Sequence, residues 1–392
     1  MKRFPTVLSA IMLLAACVRP DPVTLLADKV FELAAVQYAD MDATLGNEGF
    51  PRCTGEDGNI VTSDEGWWCS GFYPGSLWYI YEYTGDESFK EMAWKHTRRL
   101  ESLQDSDTDH DIGFQINCSY GNGMRLTGDS TDVDLYVRCA HILAGRFTPQ
   151  TGVTKSWNFL RKDWRYPVII DNMMNLELLT KAAEISGDSH LEDVAISHAM
   201  TTLKNHFRQD WSSWHLVDYD PETGEVRSRE TVQGYSDDSA WARGQAWALY
   251  GYTMMYRETG KEEFLEAAEN IGDMIIRRLP EDGIPYWDFD DPAIPEAFRD
   301  ASAGAIMASA FIELSTLTDD GTRSEYYLDT ARRQILTLGS DEYLATSGSN
   351  AGFILKHSVG NIPGGTEIDV ALSYADYYFL EALVRYSDLS DR

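Results

Sequence analysis

Five times along this 392-residue chain, a short Gly- or Asp-bearing turn separates two amphipathic stretches. The turns are Thr84-Gly85-Asp86, Thr127-Gly128-Asp129, Ser186-Gly187-Asp188, Thr259-Gly260-Lys261 and Asp319-Asp320-Gly321. Stretches such as Leu77-Trp78-Tyr79-Ile80-Tyr81 and Ala246-Trp247-Ala248-Leu249-Tyr250 precede them. Segments such as Glu263-Phe264-Leu265-Glu266-Ala267-Ala268 follow, with apolar residues three and four apart. Gly accepts the left-handed conformation that ends a helix, and Asp suits the N-cap of the next. Each unit therefore reads as a helical hairpin. The turn glycines lie 43 to 73 residues apart, too irregular for a solenoid. A sixth pair is available from residues 23–43 and 368–386, near the two chain ends. Six hairpins closing on themselves predict an all-α fold, an (α/α)6 barrel with an apolar inner ring. The long connections then gather at one mouth, where function concentrates. Strand signals are sparse, and no Pro/Ser-rich linker divides residues 17–392, which read as a single domain.

The first residues read as a processing segment. Lys2 and Arg3 precede an apolar stretch over residues 4–16, too short to span a membrane. It ends Leu14-Ala15-Ala16-Cys17, which resembles the bacterial lipobox. Residues 1–16 would then be removed and Cys17 lipidated; an ordinary secretory signal is the alternative. Either way the chain is expected to be exported to the periplasm or cell envelope, touching membrane only through a lipid anchor. Of the remaining cysteines, Cys53 and Cys69 flank one loop-like segment and are the pair best placed for a disulfide, with buried free thiols the alternative. No cysteine shows metal-ligand spacing, so neither a metal nor a cofactor is expected. A net charge of −30 argues against nucleic acid and anionic membrane surfaces as partners. The 11 Trp and 21 Tyr supply stacking platforms that carbohydrate commonly uses.

The residues able to do chemistry lie in the long connections. They include Trp67-Trp68, His110-Asp111-Ile112-Gly113-Phe114, Trp157, Asp171-Asn172-Met173-Met174-Asn175, Trp214-His215 and Gln233. Ser236-Asp237-Asp238-Ser239-Ala240-Trp241-Ala242-Arg243-Gly244-Gln245-Ala246-Trp247 completes the set. Each has a plainer reading. Asp171 precedes a helical apolar face and can be an N-cap. Asp111 can be a turn former. His215 can sit on the surface, Arg243 can stack in the core, and Trp67 and Trp68 can be core aromatics. Together they place acids, a cation, amides and indoles at one mouth.

These blocks, with Gly71-Phe72-Tyr73-Pro74-Gly75-Ser76-Leu77-Trp78, Arg299-Asp300-Ala301-Ser302-Ala303-Gly304, Glu367-Ile368-Asp369 and Tyr374-Ala375-Asp376-Tyr377-Tyr378, resemble the unsaturated glucuronyl hydrolases, glycoside hydrolase family 88. The resemblance covers nearly all of the chain beyond residue 16 and implies the same (α/α)6 barrel. It implies substrates left by polysaccharide lyases, ending in a 4,5-unsaturated uronic acid. By the same resemblance, Asp171 is the general acid/base and Asp111 the second catalytic carboxylate. His215, Gln233, Arg243 and Trp247 are implied substrate contacts; Trp157 and Trp68, or its neighbour Trp67, are implied walls. Two other readings stand beside it: an unsaturated rhamnogalacturonyl hydrolase acting on pectin fragments, and a lipoprotein that binds glycans without cleaving them. The His110–Phe114 and Arg243–Trp247 blocks favour the glucuronyl branch, and the presence of both Asp residues favours an enzyme.

The chemistry implied differs from attack at the anomeric carbon. A 4,5-unsaturated uronide carries a vinyl ether, which an acid can protonate at C4. Asp171 must then hold a proton well above the ordinary carboxyl pKa of ~3.9. Burial and a like charge on Asp111 are the two expected causes. The net charge of −30 supplies no long-range pull on a uronate, so binding must come from local groups such as Arg243 and His215.

Overall fold

The structure, a computed structural model, describes residues 21–106, 109–158 and 163–390. The expected signal segment 1–16 and lipidation site Cys17 lie outside the described residues. Among the described residues, thirteen α-helices carry the fold: α1 (Pro22–Leu45), α2 (Phe72–Thr84), α3 (Glu87–Thr97), α4 (Ile112–Ile116), α5 (Asn122–Thr127), α6 (Val133–Ala144), α7 (Asn172–Ser186), α8 (Ser189–Asn205), α9 (Ala242–Thr259), α10 (Glu262–Arg278), α11 (Ala301–Leu317), α12 (Gly321–Leu338) and α13 (Ser373–Ser390). A π-turn, Asn117–Gly121, joins α4 to α5 into one broken rod. The inner ring runs α2, α4–α5, α7, α9, α11 and α13, and closes where α13 packs on α2. Outside it stand α3, α6, α8, α10 and α12, with α1 backing α13. This is the (α/α)6 barrel, its sixth hairpin assembled from the two ends of the chain.

Burial separates the two rings. In α9 every residue from Ala242 to Met255 is buried, and in α11 every residue from Ala301 to Ile312. A helix buried on all sides needs no apolar stripe, and these two have none. Outer α10 instead buries one face, including Phe264, Ala268, Ile271 and Ile275.

Four of the five turns form as read. Gly85, Gly128, Gly187 and Gly260 hold φ of 68°, 67°, 74° and 63°, and each N–H caps the preceding helix. Asp86 and Asp188 accept the first N–H groups of α3 and α8. The fifth differs: Gly321 opens α12 rather than ending α11, and Asp320 is the N-cap. The twelfth barrel element also starts later than residue 368, because 366–370 form a strand and α13 begins at Ser373.

The connections at the N-terminal ends of the inner helices carry small antiparallel sheets. These are β1 (Phe50–Thr54) with β2 (Ile60–Ser63), β3 (Phe147–Thr148) with β4 (Val153–Thr154), the three-stranded β5 (Pro167–Ile169), β6 (Leu216–Tyr219) and β7 (Val226–Glu230), and β8 (Ser358–Asn361) with β9 (Thr366–Val370). None exceeds five residues, too few for alternation to register in the sequence. The Cys53–Cys69 pairing is not made. Both thiols are free and buried, as are Cys118 and Cys139. Burial raises Cys53 to about 11 and Cys69 to about 12, so both stay protonated and pack as small apolar groups of the core.

Candidate active site

The inner helices begin at the sheet-bearing mouth, and three have an Asp at the N-cap: Asp111 before α4, Asp171 before α7 and Asp300 before α11, of which only Asp300 accepts a helix N–H. Ile170 donates its N–H to the His215 carbonyl at 2.9 Å, pinning the end of β5 to the start of β6 just before α7. Asp171 takes the N-cap position of α7, but its side chain caps no backbone N–H. The capping reading therefore fails. The carboxyl faces His215 Nε2 at 3.7 Å, and its Oδ1 is buried without a hydrogen-bond partner. Burial raises Asp171 to about 7, against the pull of the Arg243 charge and the Trp247 indole.

Asp111 occupies the same position at α4 and likewise caps nothing. The turn belongs to Asp109, whose Oδ1 accepts the Asp111 N–H at 3.1 Å. Burial lifts the Asp111 carboxyl well above the usual range, and the charges of Asp109 and Asp171 add to it. Like-charge repulsion thus acts on Asp111, while Asp171 is raised by burial alone. Asp109 is itself raised by burial, so Asp109 and Asp111 titrate together.

His215 is not a surface residue. Its Nδ1 accepts from the N–H groups of Val232 at 3.0 Å and Gln233 at 3.3 Å, which puts its proton on Nε2, the side facing Asp171. Burial, then the Arg243 charge, lowers it to about 3, so the ring is neutral. Trp241 lies 4.7 Å away and Trp157 meets it edge-on at 6.4 Å. Trp157 in turn stacks on Trp164.

Arg243, in the first turn of α9, is 1% exposed and lies between Trp241 at 4.5 Å and Tyr374 at 5.3 Å. Its guanidinium donates to the carbonyls of Val359 and Gly360 in β8. Gln233, half-buried, reaches the same Gly360 carbonyl at 3.4 Å. Arg243 is therefore both a core stack and a brace for β8; its Nε alone stays without a partner, beside Asp300 Oδ2 at 3.6 Å from Nη1. Trp247 is fully buried against Phe114 and Tyr378, its indole N–H unpartnered. Trp68 packs on Phe114 and Tyr374, whereas Trp67 is 39% exposed under Arg52. Of the two, Trp68 is the one packed among the aromatic residues beside Trp247.

All the expected residues thus come together around one lining. Asp171 Oδ1, His215 Nε2, His110 Nε2, Arg243 Nε, Trp247 Nε1 and Tyr374 Oη are buried atoms lacking a protein partner. Each such atom costs about 1–3 kcal/mol if left unpaired, so a cluster of them marks a surface built for a ligand. Sequence reasoning assigned no role to Asp109, His110 or Tyr374. The close Asp-His-Asp spacing was the available signal for the first two; Tyr374 had none beyond its position before α13. Among the described residues, no group of three or more His, Cys, Asp or Glu side chains is placed to hold a metal ion.

Comparison with known proteins agrees with this arrangement. Residues 50–385 match the model of Glycosyl Hydrolase Family 88. The chain belongs to that family. It is 46% identical over 325 residues to the unsaturated glucuronyl hydrolase of Formosa agariphila, covering 82% of this chain and 80% of that protein. It is 34% identical over 342 residues to the enzyme of the same description from Bacillus sp. strain GL1, covering 86% and 90%. The crystal structure of an unsaturated glucuronyl hydrolase specific for heparin superposes with a TM-score of 0.91 at 44% identity, covering 94% of this chain and 98% of the other. The family-88 match takes in every element that carries the lining, from β1 to α13.

Proposed function

We propose that this family-88 glycosidase removes a terminal 4,5-unsaturated uronic acid from glycosaminoglycan-type oligosaccharides left by polysaccharide lyases. The carrying observation is a buried carboxyl, Asp171, raised to about 7 beside a second raised acid, in a lining of unpartnered donors. The descriptions of the relatives support the substrate class, including one crystal structure of an enzyme specific for heparin.

In the proposed reaction Asp171 donates its proton to C4 of the alkene, and positive charge develops across C5 and the ring oxygen. Water adds at C5 and returns its proton to Asp171. The resulting hemiketal opens and releases the aglycone at C1. Raising the Asp171 pKa towards neutrality keeps the donor protonated at the working pH. Asp111, raised well above the usual carboxyl range by burial and by the charges of Asp109 and Asp171, keeps its own proton beside the donor. His215, locked with its proton on Nε2, donates towards Asp171 or a sugar oxygen without carrying charge. Trp247, Gln233 and the Arg243 Nε contribute local hydrogen bonds to the uronate, and Trp157 and Trp68 wall the sugar. We further propose that residues 1–16 are cleaved and that lipid on Cys17 tethers the enzyme at the cell envelope.

Turnover of an unsaturated disaccharide in D2O tests the chemistry. The expected product carries deuterium at C4, with loss of the alkene's ultraviolet absorbance. A released monosaccharide that keeps its 4,5 double bond and has no label at C4 overturns the reading.

A further inference from the structure

Asn175 is fully buried one turn along α7 from Asp171. Its Oδ1 accepts the N–H of Phe114, three residues after Asp111, at 2.8 Å. The α4 segment is pressed so closely on it that a Cβ on Gly113 would lie 2.4 Å from Asn175 Oδ1 and 2.5 Å from its Cα. With Oδ1 committed to an N–H, the amide NH2 faces His110 Nδ1 at 3.3 Å. An amide NH2 only donates, so Nδ1 is the acceptor and the His110 proton sits on Nε2. That nitrogen lies 3.6 Å from Asp111 Oδ1 and has no partner of its own. His215 repeats the pattern, but there the backbone of Val232 and Gln233 sets the tautomer. At His110 a replaceable side chain does so.

We propose that Asn175 is a positioning residue of the reaction: it locks the Asp111 segment onto the helix that carries Asp171 and selects the His110 tautomer that presents an N–H to Asp111. The role rests on the reading of Asp111 and Asp171 given above. It makes the two acids one unit, since a single amide four residues from one of them fixes the surroundings of the other.

The substitution Asn175→Asp in the full chain separates this role from packing. The new carboxylate still accepts the Phe114 N–H, but it calls for a proton on His110 Nδ1 and so turns a lone pair towards Asp111. The kcat on an unsaturated disaccharide is expected to fall about 10²-fold, the cost of a misplaced catalytic group. KM should stay within about threefold, since ground-state contacts to the sugar are untouched. Histidine 15N NMR should read Nε2–H at His110 in the wild type and Nδ1–H in the variant. A variant that keeps the wild-type kcat, or loses it with the His110 tautomer unchanged, overturns the proposal. A wild-type spectrum with the His110 proton on Nδ1 does so without any variant, should the variant fail to fold. Absence of turnover by the wild type on the same disaccharide would instead defeat the proposed function.

Discussion

The two ends of the barrel are both polar, and they treat their polar groups in opposite ways. At the hairpin-turn end a cavity of about 530 Å³ opens among Tyr79, Asn117, Tyr136, Glu177, Tyr250 and Tyr377. Its charges form a closed circuit. Arg257 donates to Glu177, to Glu258 at 2.7 Å and to Glu313 at 2.5 Å. Arg385 reaches Glu313 at 3.0 Å and the Tyr250 hydroxyl at 2.8 Å. Glu381 accepts from Tyr79 at 2.7 Å, Tyr250 at 3.0 Å and Ser309 at 2.5 Å. Among the described residues, none lining this cavity has a buried side-chain N or O without a partner. At the sheet-bearing end, Asp171, His215, His110, Arg243, Trp247 and Tyr374 all do. A satisfied network holds inner helices together; an unsatisfied one waits for a ligand. The cavity at the hairpin-turn end thus belongs to the scaffold, and a cavity by itself would point to the wrong mouth.

If that contrast is right, the two ends respond oppositely to mutation. The largest effect is expected from Asp171→Asn, which keeps the shape but cannot deliver and retrieve a proton. The kcat should drop by roughly 10³-fold or more, within the range that general acid–base catalysis contributes. Comparable kcat for variant and wild type would remove Asp171 from the mechanism.

Next comes Arg385→Leu at the other end. Leaving Glu381 without its cation and Glu313 with Arg257 alone should cost about 3–5 kcal/mol by urea denaturation, as expected for one partner of a buried ion pair. The folded variant should retain its kcat. Lost activity with unchanged stability would reverse the assignment of the two ends.

A third measurement asks whether the active end is held at a cost in stability. Asp171 is raised to about 7 in the folded state and keeps the ordinary carboxyl value of ~3.9 when unfolded, so the folded state binds the extra proton between those values. Wild-type stability should therefore fall as pH rises from about 4 to 7, where the carboxyl would have to ionise while buried. Asp171→Asn escapes this and should exceed the wild type by on the order of 4 kcal/mol at pH 8, with little difference near pH 3. Equal stabilities at pH 8 would show that the carboxyl is not strained by burial. The smallest effect is on the rate profile. Activity limited by chemistry should fall about tenfold per unit once pH passes the raised acid's value near 7. A flat profile to pH 9 would put the proton donor elsewhere.

Residue by residue, what could be read in the sequence follows how local the deciding interaction is. Gly85, Gly128, Gly187 and Gly260 were readable because a left-handed φ is a property of one residue. Asp86 and Asp188 were readable because an N-cap bond spans two residues. Asp171 was ambiguous because the residue type that caps a helix is also the type that donates a proton. Only the packing of α7 against β6 and α9 turned its carboxyl away from the cap. Asp111 was resolved by its neighbour Asp109, which took over the turn. Arg243 could be placed at the site by the resemblance, but not its partners: the carbonyls it braces lie 116 and 117 residues away.

By itself, then, the sequence determined the hairpin repeat, the family and the residue types at the mouth. These rest on contacts within a few residues or on motifs that stand intact in the chain. The tertiary structure alone decided which polar groups at the two ends are satisfied and which are left open. Glu177, Arg257, Glu313 and Arg385 are spaced 56 to 80 residues apart and look like solvated charges until the ring closes and neutralises them. Asp171 and His215 also meet only through β5 and β6. Whether a buried charge is satisfied depends on what faces it across the barrel, and no local pattern carries that information.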